Sequence, residues 1–548
     1  MSEQEMGGAV QDVTVKKTRV TLGNVRLRNR ETNALILIPA PSADPNDPLN
    51  WSQAYKYYIA GVVCLAMLVC NFLAAGPTVA IVETTMDFFP HGNLDSSVSR
   101  VAYFFTTTAL LQGTGNFIWV PIANKLGRRP VYVISYLLFL AASIWLVFEE
   151  QFVGFLIARI LLGFASGAAE TLAPITIADI FFLHERGTIM ALYTAFLSAG
   201  VAFGILIDGL ALIHNHWRFI YKIATGLVGL VFLLAFFTFP ETAFRRDEGR
   251  GCSSDSSEAY STARGVDNDD EVSKIAEAHS IQQQQESPRS EKISYLRSLN
   301  IFRGILTEES TVKMFLRPFG AILLPPVLWA ALVQSVTIGF LVAVTSNVAL
   351  AYSQTYGFET YQIGLTFIAA LIGSLLGIPA GGLLGDKMAD WLTKRNGGIR
   401  HPEMRLPAIT LSLITTPLAL ILYGVGVEKK LHWICPTVGL GLLNFSITQG
   451  TNVCLVYVID AYRPIAGEIT LTVLGFKSLF GFLLSFYTNP WIAQVGYMNA
   501  YGTMAAIAAF VLLFWVPLYI WGRPLRRRTW QWKLISYIHW TNDREVGE

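Results

Sequence analysis

Four ionisable residues, Arg159, Glu170, Asp208 and Lys477, interrupt stretches that are otherwise almost wholly apolar. An ionised side chain at the centre of a hydrocarbon layer costs at least ~2.5 to 3.5 kcal/mol on insertion scales, so each must face protein or water and not lipid. Arg159 and Glu170 are eleven residues apart, close to three turns of a helix at ~3.6 residues per turn, so both point the same way. Gly163 and Gly167 lie on the stripe between them and leave a small-residue groove. A carboxyl group in such a place can take a proton from one side of a membrane and release it to the other. Glu170 is therefore the first candidate for proton coupling, with a fixed ion pair across the bundle as its alternative. Asp208, near the end of its own segment, is the second candidate; pairing with Arg159 or solvation competes with that role. Lys477 sits mid-segment, too far from either end for its stem to reach water, and needs a partner or a wet cavity.

Uncharged polar residues mark the same interior. Asn71, Gln112, Asn116, Ser198, Gln334, Thr337, Ser374, Gln449 and Asn452 all fall within apolar segments. With Arg159, Lys477 and Phe445 they form a candidate substrate cavity. Gln449 and Asn452 are one helical turn apart with Phe445 a turn earlier, an amide pair beside a ring that can recognise an organic ligand. Interhelical amide hydrogen bonds are the competing use.

These residues are carried by about twelve apolar stretches of transmembrane length, expected at 57–82, 99–123, 130–148, 152–179, 187–213, 217–239, 319–350, 361–385, 405–426, 432–459, 465–488 and 491–521. The third, sixth, ninth and twelfth have almost no internal charge and read as peripheral. Of 548 residues, 53% are hydrophobic and 15% charged, well below the ~25% charged of soluble domains. The expected class is an all-α integral membrane protein of two six-helix bundles. Its divisions are an N-terminal segment (1–56), a first bundle (57–239), a largely disordered linker (240–318), a second bundle (319–521) and a tail (522–548). The linker contains SSDSSE, DNDDE and QQQQ, too little apolar surface to offset the entropy of ordering. Its Ser287–Pro288 pair is a possible phosphorylation site. Alternate loops are basic (Lys125, Arg128 and Arg129; Arg186; Lys387 to Arg405; Arg463; Arg523 to Arg528), which places them and both termini in the cytoplasm. No short apolar leader with a cleavage site precedes the first span. The five cysteines form no CxxC pair and have no histidine at metal-ligand spacing, so neither a metal nor a cofactor is expected. Net charge is +2, with no nucleic-acid footprint.

Short motifs add to this. Each half has a charged turn after its second span, PIANKLGRRP at 121–130 and GGLLGDKMADW at 381–391. NKLGRR resembles the major facilitator loop motif, whose usual form is a glycine, three residues, an acid, a basic residue, another residue and GRR. Val120 replaces the glycine and Asn124 the acid in the first copy, whereas Gly382 and Asp386 keep both in the second. IADIFFLHERGT at 177–188, RNGGIRHPEMRLP at 395–407, YVIDAYRPIAGE at 457–468 and Pro240-Glu241-Thr242 are similar to fungal members of the drug:proton antiporter group, near the branch containing a yeast cation and polyamine transporter. The likeness covers roughly residues 48–521.

The resemblance implies the major facilitator fold and a rocker-switch, proton-coupled secondary transporter in the plasma membrane. It would act as a monomer on a small organic molecule, with efflux of a drug, toxin or metabolite as the leading direction. Proton-driven uptake of a cation, polyamine or other nutrient is the alternative, because the fifth span has Gly200, Gly204 and Gly209 but no proline between Ser198 and Ile213. A membrane substrate sensor is the reading of another class. An enzyme is not expected, since no His or carboxylate cluster gathers at one membrane face. Asn124, Arg128, Arg129, Arg186, Asp386, Asp460, Arg463 and Glu468 are the candidate conformational gate, holding the halves together by ion pairs and helix-end contacts.

Overall fold

The computed structural model describes residues 25–26, 39, 41–42, 44–91, 94–244, 294–302, 304–307, 309–397 and 399–538. Most of the linker, with Cys252 and Ser287–Pro288, and the last ten residues lie outside the described residues. Among the described residues, eleven helices are long and apolar enough to cross a membrane. They are α1 (Gln53–Phe88), α3 (Arg128–Phe148), α4 (Phe152–Ile180), α5 (Leu183–Ala211), α6 (Arg218–Thr238), α7 (Pro325–Tyr356), α8 (Thr360–Arg395), α9 (Pro402–Glu428), α10 (Ile434–Ala461), α11 (Ala466–Val495) and α12 (Tyr497–Trp530). The remaining one, α2, runs over 94–126 as Leu94–Thr114 and Asn116–Leu126. A polar first turn and a break at Gly115 keep it below the hydropathy of the others, yet it packs between α4 and α11 like a crossing. Among the described residues the chain is all-α apart from a two-residue antiparallel bridge, Val25–Arg26 with Ile399–Arg400.

The expected ends shift by a few residues in most spans and by more in the eighth, which runs to Arg395 and not to 385, and in the last. α12 continues to Trp530, beyond the expected 521, because the helix runs on through Pro524 into the arginine-rich stretch that follows its apolar part. α1 begins and ends outside the expected 57–82 for a similar reason.

Contacts sort the helices into a centre and a rim. α1, α2, α4 and α5 meet α7, α8, α10 and α11 mainly through the pairs α5–α8, α2–α11, α5–α10 and α4–α11. α3 and α6 pack on each other and on α4 or α1, and α9 and α12 pair beside α10. That is the peripheral set picked out by its lack of internal charge.

Several central helices are broken where the site lies. In α1, Gly76–Ala80 narrows to a 3₁₀ turn. Pro77 has no N–H, so the carbonyl of Leu73 loses its helical donor. Arg159 Nη1 supplies the missing bond at 2.9 Å. In α7, Ser335–Gly339 forms a π turn, an irregularity common at functional sites.

The groove expected between Arg159 and Glu170 is filled by backbone. A Cβ on Gly163 would strike the Thr108 carbonyl, and one on Gly167 the Gln112 carbonyl. The glycines thus let α2 lie directly on α4. Gly167→Val should cost about 2 kcal/mol of stability by overpacking. Gly226→Ala, where a Cβ meets nothing within 4 Å, should stay within about 0.5 kcal/mol. Denaturation of the purified variants in detergent checks both.

Candidate functional site

A cavity partly open to solvent lies in the half of the bundle away from the chain termini. Its wall comes from both halves of the chain: Asn71 to Ile81 of α1, Ala102 to Gln112 of α2, Leu197 and Val201 of α5, Ile338 to Ser346 of α7 and Lys477 to Asn489 of α11. Of the expected cavity residues, Asn71, Gln112 and Lys477 line it. Thr78, Phe105, Thr106, Thr345, Ser346, Ser478, Ser485 and Asn489 line it too and were not anticipated. Most are hydroxyl residues at helical spacing on α2, α7 and α11, a pattern too common in membrane helices to single out from one sequence.

At one end of this wall Lys477 Nζ pairs with Glu170 Oε1, joining α11 to α4. Glu170 is 0% exposed and Lys477 8%. Glu170 Oε2 has no hydrogen-bond partner among the described residues. The surroundings are polar but sparse. Tyr193 donates to the Glu170 carbonyl at 2.9 Å, Gln112 Nε2 approaches Cys70 Sγ at 3.3 Å, and Cys70 donates to the Ser166 carbonyl at 3.2 Å. Removing one member of such a desolvated pair leaves the other uncompensated, typically at 3–5 kcal/mol. Asn71 donates to Met67 O and Asn116 to Gln112 O, each within its own helix.

Arg159 and Asp208 sit behind the cavity, not in it. Arg159 is held by the Leu73 carbonyl and by the ring of Phe105, 4.9 Å from its guanidinium carbon. Asp208 is fully buried, its Oδ2 pressed against Gly76. Its carboxylate oxygens have no hydrogen-bond partner among the described residues, while the charge of Arg159 lies close enough to act on it.

The other polar residues occupy the seam that closes below the cavity toward the termini. Ser374 of α8 donates to Ser198 of α5 at 2.9 Å, and Ser198 donates to Asn444 of α10 at 2.6 Å. Thr194 of α5 donates to the Thr448 carbonyl at 3.2 Å, and Asn452 of α10 to the Gly187 carbonyl at 3.4 Å. Gln449 instead bonds Ser412 and the Ala408 carbonyl, tying α10 to α9. The backbone of Phe445 lies against Gly373 and Gly377 of α8. Gln334 faces Cys454 on α10, and Thr337 bonds back to Val333. None of these lines the cavity. Asn444 was not foreseen, because an asparagine in a helix gives no sign of which neighbour it meets.

On the terminus-side face the expected gate residues divide into two groups. Arg128 pairs with Asp179 at 3.2 Å and with Asn124 at 3.3 Å, while Glu241 accepts from the backbone N–H of Arg128 and Arg129 at 2.8 and 3.1 Å. Arg129 donates to the carbonyls of Phe239 and Phe236. All these contacts stay within the first half of the chain, where the Asn at 124 brings no charge to the seam. The bridging charges belong to the second group. Asp386 forms an ion pair with Arg405 at 2.6 Å, lies 3.6 Å from Arg400, and abuts Gly187 near the start of α5. Asp460 lies 3.8 Å from both Arg405 and Arg186, the latter on α5. Glu468 is buried with neither oxygen hydrogen-bonded among the described residues, and Arg463 opens the 3₁₀ turn before α11.

A helical bundle whose two halves enclose a largely apolar cavity set with a few polar groups, with ion pairs spanning the seam, defines a membrane transporter. The chain belongs to the Major Facilitator Superfamily, whose profile matches residues 61–464. Its relatives include an uncharacterized MFS-type transporter of Schizosaccharomyces pombe, 26% identical with 93% of this chain and 90% of that one covered. Two from Saccharomyces cerevisiae are Protein HOL1, 23% identical over 92% and 93%, and a "Probable drug/proton antiporter YHK8", 25% identical over 85% and 84%. Among solved structures, the proton:xylose symporter XylE aligns with a TM-score of 0.59 at 15% identity, covering 86% of this chain and 97% of XylE.

Asp460→Asn leaves Arg186 and Arg405 without their shared carboxylate. A cysteine placed at Thr194 in the closed seam should then react with a maleimide at least about ten-fold faster. His401, outside the spans, is pushed down to about 4 by burial and by Arg523, Arg526 and Arg527. Its depressed value means that the fold loses stability as pH falls from about 6.5 toward 4, whereas above that window it makes no demand. His401→Gln should flatten that part of a pH-dependent melting curve.

Proposed function

We propose that this chain is a proton-coupled secondary active transporter that moves a small organic molecule by alternating access. The carrying observation is the Lys477–Glu170 pair, which joins the two halves beside the cavity. A proton on Glu170 removes the charge that holds Lys477 and loosens α4 from α11. The halves, 57–239 and 319–521, then rock about the seam, closing the cavity and parting the Asp386, Asp460 and Arg186 contacts on the other side. Basic loops gathered on the terminus-side face support a cytoplasmic placement of both termini, so the cavity faces outward. The setting is the plasma membrane. One chain supplies the whole cavity wall, which supports action as a monomer.

Two directions fit this coupling. Export of a drug, toxin or metabolite is supported by likeness to the probable drug/proton antiporter. Uptake of a nutrient is supported by α5, which is glycine-rich without a proline between Ser198 and Ile213. Growth of overexpressing cells under toxins and on scarce nutrients separates them.

The coupling is tested without a known substrate. Acidification should speed maleimide labelling of the Thr194→Cys reporter in otherwise wild-type protein, and Glu170→Gln should label at the fast rate whatever the pH. A wild-type rate insensitive to pH would remove Glu170 from the mechanism.

A further inference from the structure

The Lys477–Glu170 pair is not symmetric toward the cavity. Lys477 is part of the wall; Glu170 is buried behind it and is not. Among the described residues, Lys477 is the one charged side chain in that wall, and the other polar groups are amides and hydroxyls such as Asn71, Gln112, Thr345 and Asn489. A ligand entering the cavity therefore meets a cation first, in surroundings that add hydrogen bonds but no second charge.

We propose that the transported molecule is a small organic anion whose carboxylate replaces Glu170 Oε1 at Lys477 Nζ, and that it binds together with one proton on Glu170. The assignment rests on the reading of Glu170 as the coupling group. Its logic is charge balance. The empty pair is neutral. A carboxylate at Lys477 alone would leave Glu170 a buried anion without a counter-charge, which a membrane interior penalises heavily. A proton on Glu170 restores neutrality, and Oε2, free of any hydrogen-bond partner among the described residues, is an atom on which it can sit. Other titratable groups facing Glu170 are Cys70 on α1 and Tyr193 on α5, both uncharged at neutral pH. Gln112 of α2 faces the same region and has no charge to offer.

The same balance limits the ligand. An ammonium is a compact point charge without the fork that matches phosphate bidentately. One lysine and one proton balance a single carboxylate and leave a phosphate dianion with charge to spare. An organic polycation finds Lys477 in its path and one carboxylate, already engaged. Because anion and proton bind together they cross in the same direction, and an inward proton gradient then drives uptake.

The test uses the full chain, purified in detergent, with lactate, benzoate and 4-hydroxycinnamate as anionic probes and spermidine and tetraethylammonium as cationic ones. At least one carboxylate should raise the melting temperature at about pH 5.5, with affinity weaker by about ten-fold or more at about pH 7.5. Lys477→Met should lose that binding while remaining folded by size-exclusion chromatography. Glu170→Gln should bind the carboxylate equally at both pH values, a rescue that a merely structural role for Lys477 would not produce. The anion assignment is overturned if no carboxylate binds, if binding survives Lys477→Met, or if a cationic probe binds in a Glu170-dependent way. Should it fall while the Thr194→Cys reporter still responds to pH, coupling through Glu170 stands alone. If Lys477-dependent carboxylate binding persists but the reporter ignores pH, the coupling reading is the one that fails.

Discussion

An ionised group held away from water must find its counter-charge or donor inside the protein, and this requirement organises the centre of the bundle. Lys477 meets it with Glu170 across the two halves. Arg159 meets part of it with a carbonyl that Pro77 has stripped of its donor. The seam below is closed by neutral hydrogen bonds of Ser198, Ser374, Asn444 and Thr194. Such bonds are individually weak, so the seam can part without a large penalty. Strong and weak links are thus placed at different depths.

The two halves resemble each other in plan but not in electrostatics. In the second, Asp386 faces the start of α5 and gathers Arg400 and Arg405. In the first, Asn124 stands where the acid would be, and Arg128 turns to Asp179 and Glu241 inside its own half. The terminus-side closure therefore relies on the α5–α8–α10 side. On the α2–α11 side Lys125 of that turn reaches the Thr311 hydroxyl at 3.3 Å, and the ion pair lies deeper, at Lys477.

Much of this was legible from the letters. The number and order of spans, the rim formed by α3, α6, α9 and α12, and the buried placement of Glu170 and Lys477 all follow from hydropathy and the cost of buried charge. Partnership was harder to read. Helical spacing places Arg159 and Glu170 on one stripe but does not say that α2 backbone fills the groove between them. Gln334, Gln449 and Phe445 have the chemistry of ligand contacts yet serve helix packing, because an amide in lipid seeks the nearest carbonyl or hydroxyl whether or not a cavity is near. The hydroxyls that do line the cavity carry no burial cost large enough to mark them.

The break in α1 ties distant positions together. Pro77 creates an orphaned acceptor and Arg159, on another helix, is the donor that answers it. An ordinary residue at 77 would restore the internal bond and leave the guanidinium sharing that carbonyl with a backbone N–H, while loss of the arginine alone would strand the oxygen in a dry interior. A change at either place is therefore felt at the other, although the two lie 82 positions apart in the chain.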